Sequence, residues 1–141
     1  MRAFATAISI HAPAERVWSI LTNAADYPSW SSTVERVVGT IAPGAKVAVY
    51  TKASPGRAFP LTVTGFEPNR RMVWSGGMPM GLFRGTRTYT LAPRAPGMVD
   101  FSMREEFSGF LAPLISRSIP DLQPSFDQFA ADLKARAESA A

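Results

Sequence analysis

The stretch "LFRGTRTYTLAPRAPGMVDFSMREEFSG" (Leu82–Gly109) decides how the chain folds. It reads as two long strands, 82–93 and 97–109, joined by a turn containing Pro and Gly. Within each half the residues alternate. Phe83, Gly85, Arg87, Tyr89 and Leu91 share one face of the first strand, and Val99, Phe101, Met103, Glu105 and Phe107 share one face of the second. Both faces are apolar except for Arg87 and Glu105. Pairing Leu91 with Val99 would set Arg87 opposite Met103 and diagonal to Glu105, within reach of long side chains. If the face carrying Tyr89 and Leu91 points inward, parity gives an inward Arg87–Glu105 pair, with Arg104 and Glu106 on the wet face.

Upstream, the β pattern continues. Segments 34–39, 46–53, 59–67 and 71–77 alternate and are separated by "PG", "SPGR" and "EPNR", which are turn sequences. This spacing predicts an antiparallel meander. The connection "GGMPMG" (76–81) is too apolar for an ordinary exposed turn. Two readings stand: a loop over the mouth of a cavity, faced by a chain break near 118–124, or a bulged hairpin with its methionines tucked against the sheet.

The chain opens on another alternating strand, residues 3–10. "APAER" follows, with Pro13 suited to a helix start and Glu15 near its positive end. Val17, Trp18, Ile20, Leu21 and Ala24 then recur at helical spacing until Pro28 disfavours helix at Tyr27. A short turn or second helix carries Tyr27 and Trp30. Downstream of the hairpin, Leu111, Ile115, Leu122, Phe126, Phe129 and Leu133 form an apolar stripe. Pro120 and Pro124 interrupt it, which predicts a short helix, a break near 117–124, and an amphipathic helix of about fifteen residues.

Residues 1–141 thus form one α+β domain: a curved antiparallel sheet of about seven strands, two short helices after the first strand, and a long C-terminal helix. An apolar sheet face needs a cover, and the C-terminal helix is the only element long enough to supply it. A curved sheet gripping a helix encloses space suited to a ligand.

Composition narrows the chemistry. The 141 residues are 46% hydrophobic and 18% charged, enough to build a core and too few charges for a disordered chain. Without cysteine there is no disulfide, thiolate metal site or Cys nucleophile. The single histidine, His11, ends a strand and is expected to face solvent or the helix start, and no Ser/His/Asp triad or multi-His metal site can be built on it. The other carboxylates lack metal-loop spacing, so neither a metal nor a cofactor is expected. The net charge of +4 comes from scattered basic residues rather than a stripe, which argues against a specific nucleic-acid partner. No transmembrane run or signal peptide is read, so a cytoplasmic protein is expected, its oligomeric state open.

"ISIHAPAERVWSILTNAADYPSW" (8–30) resembles the opening of START-like proteins, also called the Bet v 1-like or polyketide cyclase/dehydrase and lipid-transport superfamily. The matching residues are Ala12-Pro13, Val17-Trp18, Tyr27-Pro28 and Trp30, followed by "FEPNRRMVW" (66–74), "TYTLAP" (88–93) and the aromatic C-terminal helix. The resemblance spans essentially the whole chain and implies the helix-grip fold. It does not select one function, since this fold hosts carriers, cyclases and partner-binding modules.

The resemblance and the parity together point to a small hydrophobic ligand, such as a lipid, polyketide or aromatic metabolite. Its expected lining is Trp30, Trp74, Met80, Phe83, Tyr89, Phe101, Met103, Phe107, Leu122, Phe126 and Phe129, with Arg87 and Glu105 as polar anchors. One alternative is a cyclase/dehydratase-like enzyme in which Glu105 exchanges protons and Arg87 polarises a carbonyl. Another is a partner-binding regulatory module whose cavity is small or filled. The Arg87–Glu105 pair could also serve only the fold, or a bulge could turn Glu105 outward.

Overall fold

In the computed structural model, residues 3–52 and 54–139 are described. They run β1 (Ala3–Ile10), α1 (Ala14–Leu21), a 3-10 turn (Ala24–Asp26), α2 (Tyr27–Trp30), β2 (Val34–Val38), β3 (Lys46–Thr51), β4 (Ala58–Glu67) and β5 (Arg71–Met78). A 3-10 turn (Pro79–Gly81) then leads to β6 (Phe83–Ala95) and β7 (Met98–Ser108). The chain ends with α3 (Ala112–Ile115), a 3-10 turn (Ser116–Ser118) and α4 (Gln123–Glu138). Ala53, which the expected strand 46–53 included, lies outside the described residues.

The seven strands form one curled antiparallel sheet in the order β1-β7-β6-β5-β4-β3-β2. Six are meander neighbours, and β1 joins the far edge beside β7. Helix α4 lies across the concave face, chiefly against β1, with α1, α2 and β7 also in contact. This is the helix-grip arrangement.

Local chemistry accounts for the elements. Pro13 stands just before α1 with extended backbone angles, and Glu15 occupies the first turn. Val17, Trp18 and Leu21 are the buried side of that helix, and Trp18 packs edge-on against Phe66 at 5.2 Å. Pro113 and Pro124 each lie in a first helical turn, where a missing N–H costs nothing. Pro124 therefore starts α4. The buried residues of that helix, Phe126, Phe129, Ala130, Leu133 and Ala137, keep the three- and four-residue spacing of one face.

The β6–β7 register differs from the expected one by two residues. Leu91 pairs with Phe101 rather than Val99, and Arg87 stands directly opposite Glu105. The reason is the tightness of the turn. Pro96 and Gly97 alone close the hairpin, with Gly97 at φ 74°, the angle that the third position of a type II turn requires. A register shift between Pro93 and Ala95 absorbs the extra residue. Parity is unchanged, so the inward set is the expected one.

The "GGMPMG" connection is a hairpin end whose methionines are not tucked away: Met78 is 47% and Met80 92% exposed.

Candidate functional site

The concave face divides into a packed inner half and a more open end. Phe129 of α4 is the centre of the packed half. Its ring lies 5.3 Å from Trp30, 6.3 Å from Tyr89, 6.3 Å from Phe101 and 6.5 Å from Tyr27. Trp74 meets Tyr89 at 5.1 Å, edge to face. Trp74, Tyr89, Phe101, Met103 and Phe129 are each between 0 and 2% exposed, which leaves no ligand-sized space against them. Tyr27 donates its hydroxyl hydrogen to the carbonyl of Leu21 at 2.6 Å, and Trp74 Nε1 points at Met72 Sδ at 3.3 Å. Trp30 Nε1 differs: it is buried without a hydrogen-bond partner among the described residues. An unmet buried donor of this kind is energetically costly.

The open end begins at Arg87. Its Nε donates to Glu105 Oε1 at 2.6 Å, and its guanidinium carbon sits 4.9 Å from the ring centre of Phe126. The pair is only partly withdrawn from water, with side chains 21% and 14% exposed. Arg87 also acts electrostatically on the hydroxyl of Tyr89. Burial is the largest single influence on Arg87 and opposes its charge, but Glu105 and Tyr89 together outweigh it and hold the guanidinium above its usual range. Burial lifts the Tyr89 hydroxyl above its ordinary value against the opposing pull of Arg87, so Tyr89 stays protonated at neutral pH.

Gly85, two residues before Arg87, leaves bare backbone beside this pair. A Cβ there would stand 3.4 Å from the Phe107 ring and 3.8 Å from Glu105 Oε2. Phe83 stacks on Phe107 at 5.7 Å, and Phe4 closes on Phe107 and Phe126 at 6.4 and 5.9 Å. Leu122, at the start of α4, is half-buried against the core.

Twelve of the thirteen expected residues thus lie in or against the core between sheet and helix. Met80 does not join them, since its side chain stands in water. Gly85 and Phe4 belong to the open end and were not anticipated. Gly85 had a readable signal, because it shares the inward parity of Arg87. Phe4 shares a strand face with Thr6, Ile8 and Ile10, but its neighbours there depend on β1 pairing with β7 across the whole chain.

A second concavity, of about 250 Å³, lies between Glu67, Arg70, Arg71 and residues 90–93. It is an open surface cleft, and Arg71 there already faces Glu67 at 3.6 Å. Among the described residues no group of three or more His, Cys, Asp or Glu stands together to hold a metal. No described helix is long and apolar enough to cross a membrane.

A curled antiparallel sheet gripping a long, aromatic-lined C-terminal helix defines the helix-grip class of folds. The family model for polyketide cyclase/dehydrase and lipid transport matches residues 1–138, and the chain belongs to that family. Solved structures agree in fold. A hypothetical protein from Helicobacter pylori has a TM-score of 0.78 at 14% identity, covering 97% of this chain and 88% of its own. A START superfamily protein from Mycobacterium smegmatis has a TM-score of 0.67 at 13% identity, covering 96% and 97%. The di-domain aromatase/cyclase BexL has a TM-score of 0.68 at 16% identity, and the match covers 98% of this chain and 47% of BexL. No protein with a curated description matches in sequence.

Proposed function

We propose that the protein binds a small hydrophobic molecule at the open end of the helix grip, with Arg87 and Glu105 orienting its polar group. The observation that carries this reading is the ion pair itself. It stands on an otherwise apolar inward face, partly accessible, beside the bare backbone of Gly85. Here a carbonyl, hydroxyl or carboxylate can reach the remaining Arg87 donors while an apolar body lies on the half-buried Phe83 and displaces the buried rings of Phe107 and Phe126. The family, polyketide cyclase/dehydrase and lipid transport, supports a hydrophobic ligand.

The packing around Phe129 sets the scale. With the inner half filled, the ligand is small or ring-sized, or it displaces Phe129 to go deeper. Trp30 Nε1 is the donor such a deeper ligand would meet.

Native mass spectrometry for a co-purifying molecule, followed by titration with a fluorescent aromatic acid and a fluorescent fatty acid, tests the reading. Saturable binding that falls at least about tenfold in Arg87→Met is expected. Gly85→Val, which fills the bare backbone beside Phe107 and Glu105 while keeping both charged groups, should reduce binding as well. No saturable binding of either compound, or full binding by both variants, would remove this site.

A further inference from the structure

We infer that the end of the molecule carrying Met80 and Phe110 is a docking surface for an anionic lipid bilayer. Two segments build it: the 3-10 turn between β5 and β6, and the link from β7 into α3. They are joined, since Phe110 N–H donates to the Gly81 carbonyl at 3.3 Å and Leu111 N–H to the Leu82 carbonyl at 2.7 Å. Met80 is 92% exposed, Phe110 88%, Leu114 65%, Met78 47% and Leu82 38%. Single exposed apolar residues are ordinary, but five large ones on two bonded segments form a patch that water does not favour.

Met80 adds an independent observation. Its backbone lies at φ 61°, ψ 26°, the left-handed region where Gly, Asn or Asp is usual. A bulky apolar residue is thus held at a strained position with its side chain almost wholly in water. Both features are unfavourable in isolation and make sense if the side chain has an apolar environment to enter.

Charge selects the occupant. Arg84 follows Leu82 by two residues, with its guanidinium donating to Ser75 Oγ at 3.0 Å, and Arg117 follows Leu114 by three; both are exposed. The sequence has no Asp or Glu from 68 to 99 or from 107 to 120. An apolar tip with a cationic rim matches acyl chains beneath anionic headgroups. A second copy fits less well, because a symmetric pair would bring the two cationic rims together. Phe83 follows Leu82 and stacks on Phe107, so docking would turn the Arg87–Glu105 end toward the bilayer. The inference does not depend on the ligand reading.

Co-sedimentation with vesicles tests it, using phosphatidylcholine alone and equal parts phosphatidylcholine and phosphatidylglycerol. The protein should bind the phosphatidylglycerol vesicles, with affinity falling as salt rises. Met80→Asn combined with Phe110→Ser should weaken binding at least about tenfold, and Arg117→Gln about fivefold. Circular dichroism and the thermal midpoint should hold or, for Met80→Asn, improve. The inference is overturned if the wild type ignores phosphatidylglycerol vesicles, or if the double variant binds them equally well. It is also overturned if the patch instead mediates a dimer or a protein complex, lost in the double variant, with no vesicle binding.

Discussion

The Arg87–Glu105 contact is where side-chain chemistry and fold meet. The two residues face each other across β6 and β7 with a bond of 2.6 Å, and neither side chain is more than about a fifth exposed. Glu105→Gln keeps the shape and removes the charge, leaving a guanidinium without its carboxylate. Urea denaturation should show a loss of about 2 kcal/mol, the partial exposure tempering the larger cost of a fully buried pair. Replacing both residues with Met and Leu should recover much of that loss while abolishing ligand orientation. The buried tyrosines give a second, pH-dependent test. Burial raises the hydroxyl of Tyr27 well above 10.0, with Tyr89 adding to it, and raises Tyr89 as well. Above about pH 10 the unfolded chain releases protons that the folded protein retains, so ionisation favours the unfolded state. Stability contributed by these groups is complete below pH 10 and should fall as pH rises beyond it. Tyr27→Phe should flatten that alkaline slope, read from urea midpoints across pH, at a cost of about 1 kcal/mol at neutral pH for the lost bond to Leu21.

At the scale of elements, α4 does most of the closing. Its apolar face fills the grip, and bonds along its rim tie it to the rest of the chain. Thr6 donates to Asp127 and Lys134 to the carbonyl of Ser9. Ser32 donates through both its backbone N–H and its hydroxyl to Asp132. Arg16 of α1 reaches the last turn of α4, where Nε donates to the Ala137 carbonyl at 2.6 Å and Nη2 to the carbonyls of Arg136 and Ser139. These are carbonyls that a helix end leaves unmet, and a cation suits the negative end of the helix. Arg16→Ala should therefore lower stability by about 1–2 kcal/mol in thermal unfolding without touching the ligand end. Phe129→Ala acts differently. It removes the ring that Trp30, Tyr89 and Phe101 share and should cost about 3–5 kcal/mol. The space left would let a larger apolar compound bind, which the same fluorescence titration would detect. The proline positions show how far sequence reading goes for elements: Pro113 and Pro124 mark helix starts because a missing N–H is harmless only there.

Across the whole molecule the decisive contact is between the ends of the chain. β1 completes the sheet beside β7, and α4 lies on β1, so the first and last segments must meet before the apolar face is covered. We expect one cooperative urea transition, and slow folding typical of nonlocal pairing, on the scale of milliseconds to seconds in stopped-flow fluorescence. A chain ending at Gly109 should fail to show it, because the concave face would then be open to water. Much of this design was legible beforehand. Strand alternation, turn residues, proline positions and the inward parity of Arg87 and Glu105 depend on neighbours within a few residues, and the sequence by itself determined them. Three features needed the folded molecule. The direct opposition of Arg87 and Glu105 followed from a two-residue turn and a bulge, which set register without altering parity. The division into a packed half and an open end came from Phe129 meeting aromatic rings from the sheet and from the Tyr27–Trp30 helix. The exposed tip arose because Gly81 and Leu82 bond to Phe110 and Leu111 across the fold. Periodicity is local and survives in sequence, whereas register, filling and exposure are set by which distant surfaces come together, and only the tertiary structure decides that.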